Sequence, residues 1–112
     1  MKNITTGLVL SALLLSGGCS QDWCEDSEMA FVMSQNFVKK RLKSPHSAKF
    51  PHQATTLYKG ECTHVVSAYV DSQNSFGAML RTLYIAELQY SSSDSRWKLK
   101  DIQMGPAPES SN

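Results

Sequence analysis

The spacing of apolar residues along the chain takes three successive forms, and each marks a different kind of segment. Residues 8–15 read Leu-Val-Leu-Ser-Ala-Leu-Leu-Leu, apolar on every side. That run is far shorter than the roughly 20 apolar residues a membrane span needs. From 24 to 43 the spacing becomes helical: Ala30, Phe31, Met33, Phe37, Val38 and Leu42 fall on one broad face. Acidic Glu25, Asp26 and Glu28 come first and basic Lys39, Lys40, Arg41 and Lys43 last, an order that complements the helix dipole. Asp22-Trp23-Cys24-Glu25 has the spacing of a capping box, and Ser44-Pro45 ends the run because proline disfavours helical backbone before it. One amphipathic helix over about 24–43 follows.

Beyond Pro45 the period becomes two. After an irregular connection over 46–54, Thr55-Thr56-Leu57-Tyr58-Lys59 is β-branched and aromatic, and Gly60-Glu61 makes a turn. Residues 62–71 alternate, with Val66, Ala68 and Val70 on one face and Val65, Ser67 and Tyr69 on the other. A polar turn over 72–77 leads to a long strand over 78–90. Its Leu80, Tyr84, Ala86, Leu88 and Tyr90 share a side, while Leu83 and Ile85 leave the opposite side only partly polar. Ser91-Ser92-Ser93-Asp94-Ser95 turns into a last strand over 96–104 carrying Trp97, Leu99 and Ile102. A helix followed by consecutive strands with short loops predicts an α+β domain, one N-terminal amphipathic helix packed on an antiparallel sheet of about four strands. Residues 105–112, with two prolines and a polar end, are expected to be a disordered tail.

The N-terminus changes the reading of what precedes this domain. Lys2 is followed by the apolar run, then by small Ser16-Gly17-Gly18 and by Cys19. The segment Leu15-Ser16-Gly17-Gly18-Cys19 resembles the lipobox of bacterial lipoproteins, with Ser16 where leucine is usual. The resemblance implies that residues 1–18 are a signal peptide, that Cys19 is lipidated and becomes the first residue, and that 19–23 form a tether to a domain over 24–104. More than one acyl chain anchors a protein stably where one does not. Ser20, where enterobacterial lipoproteins retained at the inner membrane carry aspartate, points to the outer membrane and the periplasmic side. With Cys19 acylated, Cys24 and Cys62 remain, an even number in an oxidising compartment. They are expected to form a disulfide tying the helix start to the sheet; two free thiols are the alternative.

Charge narrows the partners. The chain has 11 basic and 10 acidic residues, and loss of Lys2 with the signal leaves ten of each. A near-neutral domain lacks the basic footprint of a nucleic-acid binder. The cluster at 39–43 is explained by the helix dipole; contact with anionic lipid head groups, worth about 1 kcal/mol per residue, is the competing reading. Met29, Met33 and Met79 read as core filler. His46, His52 and His64 with three cysteines invite a metal site, yet none has a ligand spacing, and no metal or cofactor is expected. No nucleophile elbow, phosphate loop or zinc-protease motif is present, so no enzyme is expected.

Two segments are more specific than a generic domain requires: 42–51, Leu-Lys-Ser-Pro-His-Ser-Ala-Lys-Phe-Pro, and 69–81, Tyr-Val-Asp-Ser-Gln-Asn-Ser-Phe-Gly-Ala-Met-Leu-Arg. Together they resemble a small domain of bacterial and prophage-associated proteins that often follows a lipoprotein signal or a membrane segment. The resemblance spans about residues 28–102; it implies the fold and supplies no activity. Phe50 and Phe76 are expected to plug the helix–sheet interface, Gly77 to adopt a positive φ and Asn74 to bond the turn backbone. The alternative makes this hairpin a partner-binding edge, with Arg81 and Asn74 as candidate contacts. The functional expectation is a non-enzymatic, membrane-anchored periplasmic binding or accessory module with an envelope protein as candidate partner. The alternative is a prophage-type exclusion or immunity lipoprotein that blocks an envelope receptor or enzyme.

Overall fold

The alternating segments become four antiparallel strands, paired in chain order. A computed structural model of the chain describes residues 22–108. Helix α1 (Ser27–Lys39) and a short 3₁₀ turn (Pro45–Ser47) precede β1 (Ala54–Gly60), β2 (Thr63–Gln73), β3 (Met79–Ser91) and β4 (Arg96–Pro106). The expected signal peptide, Cys19 and the first part of the tether lie outside the described residues, as do 109–112.

One face of the sheet carries the core. Val66, Ala68 and Val70 of β2 and Tyr84, Ala86, Leu88 and Tyr90 of β3 are all buried under α1. In β4 the inward residues switch from odd (Trp97, Leu99) to even (Ile102, Met104). A bulge causes the switch: Leu88 pairs with Leu99 and Glu87 with Asp101, so Lys100 is the extra residue. Gly105 and Pro106 continue β4 opposite Leu83 and Thr82, so the expected tail begins later than residue 105.

The helix is shorter than its apolar spacing predicts. Asp22 does not cap it; its carboxylate accepts from the Cys24 amide (3.1 Å), and residues 24–25 form a turn. The cap is Asp26, which accepts from the Met29 amide at 3.0 Å. At the other end the Arg41 and Leu42 amides bond the carbonyls of Val38 and Lys39, a tightened turn that takes 40–43 off the helix axis. Ala30, Ser34 and Val38 form the fully buried seam. Ser34 lets the helix approach closely: its hydroxyl donates to the Phe31 carbonyl (2.6 Å) and accepts from the Tyr84 hydroxyl (2.9 Å). Burial pushes the Tyr84 phenol above its ordinary range. The neutral phenol therefore supports the fold up to its ordinary range, and that support is lost as pH rises through the higher folded value.

The start of α1 is pinned to the sheet. Cys24 and Cys62 are disulfide-bonded, with Cα atoms 4.4 Å apart, as expected. His64 donates from Nε2 to the Cys24 carbonyl at 2.8 Å. Rings stack outward from there: Tyr58 on His64 (4.9 Å), His64 on Trp97 (5.7 Å), Trp97 on Tyr90 (5.2 Å) and Tyr90 on Trp23 (6.0 Å). The β1–β2 turn has positive φ at both Glu61 and Cys62, the hairpin geometry that matches strand twist but is usually left to Asn and Gly. The Tyr58 hydroxyl braces it by accepting from the Cys62 amide at 3.1 Å.

The disulfide closes a loop of 38 residues, worth about 4 kcal/mol in the chain-entropy model. Replacing both Cys24 and Cys62 by serine should lower the unfolding free energy by about that amount in urea titrations. An unchanged midpoint would mean that the aromatic stack alone holds the helix start.

Candidate functional site

A 13-residue helix rises about 20 Å, whereas the 11 residues of β2 extend about 37 Å. The helix start is tied to Cys62, the first residue before β2, and the chain has already left the helix where residues 41–43 come beside Ser72–Asn74 and Leu80. Val70 and Ser72 are still buried there, while Leu80 opposite Ser72 is half-exposed.

The hairpin beyond is nonetheless tightly built. Asn74 organises the loop: its side-chain oxygen accepts from the amides of Phe76 (2.9 Å) and Ala78 (3.0 Å), while its own amide donates to the Ala78 carbonyl (2.9 Å). Gly77 sits at φ +85°, where a side chain would be strained even though a Cβ would meet no neighbour. The two specific sequence segments meet at the root. Lys49 and Asp71 exchange backbone hydrogen bonds (2.8 and 2.9 Å), and Ser47 Oγ accepts from the Gln73 amide at 2.9 Å. Ser47 in turn donates to the Ser44 carbonyl (2.7 Å), which ties the hairpin to the turn after the helix.

This frame holds Phe76 out in solvent. Its side chain is 93% exposed, which overturns the expectation that it plugs the helix–sheet interface. The reason is its place in the 74–78 loop, past the ends of β2 and β3 and outside the face on which α1 packs. Leu80, expected on the buried side of β3, is 52% exposed near the start of that strand. Phe50 does meet the core, edge-on to Tyr84 at 6.3 Å.

The candidate contacts Arg81 and Asn74 sit at this end. Asn74 spends its oxygen on the loop. Arg81 is half-exposed, clamps Asp71 through two bonds (2.7 and 2.8 Å) and lies over the Tyr69 ring at 5.4 Å. The hydrogen bond from Arg81 holds the Asp71 carboxyl below its usual range. The pair's contribution is therefore complete above the ordinary carboxylate range and lost as pH falls through that lower value. An exposed pair of this kind is worth about 0–1 kcal/mol.

Beside the tip lies a shallow groove of about 210 Å³, with Leu42, Leu80 and Met104 along it and Arg41 and Lys43 at its rim. A larger open groove of about 740 Å³ separates Phe31 and Val32 of α1 from Ala54 and Thr56 of β1. Of the histidines, His46 and His52 are exposed and His64 is buried against the disulfide. Among the described residues no three His, Cys, Asp or Glu side chains converge on a metal-sized site, and no helix is long and apolar enough to cross a membrane.

The chain matches no protein-family model, and no curated protein or solved structure matches it either.

The exposed tip separates two kinds of side chain. Phe76→Ala should change stability by no more than about 0.5 kcal/mol, as at other exposed sites. Tyr84→Ala should cost about 3–5 kcal/mol as a truncated core aromatic. Asn74→Ala, which removes two loop bonds, should cost about 1–2 kcal/mol. Urea unfolding of the three variants checks the order; a Phe76→Ala loss as large as that of Tyr84→Ala would return Phe76 to the core.

Proposed function

We propose that this chain is a lipid-anchored, non-enzymatic binding module of the periplasm, and that the β2–β3 tip is the surface it presents to an envelope protein. The observation that carries this reading is Phe76, an aromatic ring held almost fully in water by a loop whose hydrogen bonds fix it there. Burying such a ring against a partner is worth about 1.5–3 kcal/mol, and the rigid loop has little conformational freedom left to lose on binding.

The lipobox-like segment supplies the anchor. Cys19 lies three residues before Asp22, and Asp22 packs at the end of the domain that carries the helix start and the β3–β4 turn, 3.3 Å from Ser92 Oγ. The Cys24–Cys62 disulfide fits the oxidising compartment that such an anchor implies. The tip lies at the opposite end of β2, about 35 Å away along the strand. A lipid on Cys19 thus leaves Phe76 on the side turned away from the membrane.

Two measurements test this. Mass spectrometry of the mature protein should show an acylated N-terminal Cys19, with Cys19→Ala left as uncleaved precursor; a soluble product with a free Cys19 thiol contradicts the anchor. A photo-crosslinking amino acid at position 76 should give a discrete protein adduct in intact envelopes, and the same group at position 94 should not. An adduct from 94 with none from 76 would move the binding surface to the other end.

A further inference from the structure

We infer that the tip takes a protein segment in which carboxylates flank an apolar side chain, the apolar group entering the groove between residues 41–43 and β3. The inference rests on the binding-module reading above and names the chemistry of the partner.

The two ends differ in charge balance. Asp22, Glu25, Asp26, Glu28, Glu61 and Asp94 lie at the end where the chain enters the domain, where they outnumber Lys59, Arg96 and Lys98 on the strands beside the same turns. Lys39, Lys40, Arg41, Lys43 and Lys49 lie at the tip end, and all five are exposed. Among the described residues the carboxylate at that end is Asp71, which Arg81 already neutralises. Lys39 and Lys40 rest over the rings of Phe50 and Phe37 (5.9 and 5.7 Å), leaving Arg41 and Lys43 as the cations at the groove.

The groove supplies the apolar half of the recognition. Leu80 is half in water, and Leu42 and Met104 stand beside it. Phe76 overhangs the same end. Leu42, Leu80 and Met104 share the groove with Ser72, Gln73, Asn74 and Thr82; three apolar side chains with hydrogen-bonding groups and two cations beside them are complementary to an acidic segment that carries one leucine or phenylalanine. A second copy could offer its acidic end, but two copies anchored upright in one membrane present acidic end beside acidic end. An anionic lipid surface would match the cations and Phe76. The anchor sets the tip away from its own membrane, though, since a tether over 19–23 spans at most about 17 Å, against about 35 Å of strand to the tip.

The test uses the mature lipidated protein in phosphatidylcholine nanodiscs against a displayed library of short random peptides. Enriched peptides should place Asp or Glu beside Leu or Phe and should bind less well as salt rises. Their affinity should fall at least about tenfold for Arg41→Glu/Lys43→Glu and also fall for Phe76→Ala. Arg41→Gln/Lys43→Gln, which removes charge without reversing it, should give an intermediate loss, and unchanged unfolding midpoints would show that both pairs keep the fold. Enrichment that ignores both charge variants, or no enrichment, overturns the inference. So does Phe76-dependent adsorption to phosphatidylglycerol vesicles in place of peptide binding. A position-76 crosslink in envelopes combined with any of these failures would spare the binding module and reject only its acidic partner.

Discussion

The attachment of the helix start to the β1–β2 turn governs the rest of the domain. The Cys24–Cys62 bond and the His64 bond to the Cys24 carbonyl fix where α1 begins. From that origin the helix can cover only as much sheet as its 13 residues reach. What it covers becomes core, while Leu80 stays half-exposed. Had the same helix been free to slide along the sheet, Leu80 could have been buried at the cost of the aromatic stack at the other end.

The covered part is economical. A domain this small buries a modest share of its surface, so close approach of helix and sheet counts. Small side chains permit it: Ala30 and Ser34 on the helix lie over Ala68 and Ala86 on the sheet, with Tyr84 filling the centre and satisfied by Ser34. The uncovered part is stabilised differently. There the 44–49 segment takes over from the helix and bonds the hairpin backbone at Asp71 and Gln73. The two specific sequence segments are therefore one structural unit, a brace and the hairpin it holds, and their specificity lies in backbone geometry as much as in any exposed group.

Much of this was legible in the chain. Alternation in 62–71 and 78–90 told which residues of β2 and β3 share a side, because side chains alternate strictly along a strand; that Val66, Ala68 and Val70 form the buried side of β2 came from the structure. The thiol pairing followed once Cys19 was set aside. Four things were not legible, for distinct physical reasons. The apolar spacing continues to Leu42, but the chain leaves the helix at Lys40, since tertiary bonds from 44–49 to the sheet pull it aside. The burial expected of Phe76 failed separately, because an aromatic residue in a turn segment carries no sign of which side the loop presents. The Lys100 bulge hides in a strand whose odd and even apolar residues share a face. Ser34, polar and mid-helix, gives no apolar signal although it lies at the centre of the interface. Arg81 and Asn74, the candidate contacts read from the chain, both help to build the hairpin, Arg81 through Asp71 and Asn74 through the loop backbone; the fuller exposure of Phe76 gave no signal in the sequence.

Phe76 is exposed at the end of the sheet opposite the attachment of the helix start, and the proposed lipid on Cys19 would turn it away from the membrane. A nitroxide placed at position 76 of the lipidated protein on vesicles measures this directly, through its collision rates with a water-soluble nickel complex and with oxygen concentrated in lipid. The account predicts fast, unhindered collision with nickel and no enhancement by lipid-dissolved oxygen. Slow motion with strong oxygen collisions would place the tip in the bilayer and contradict it.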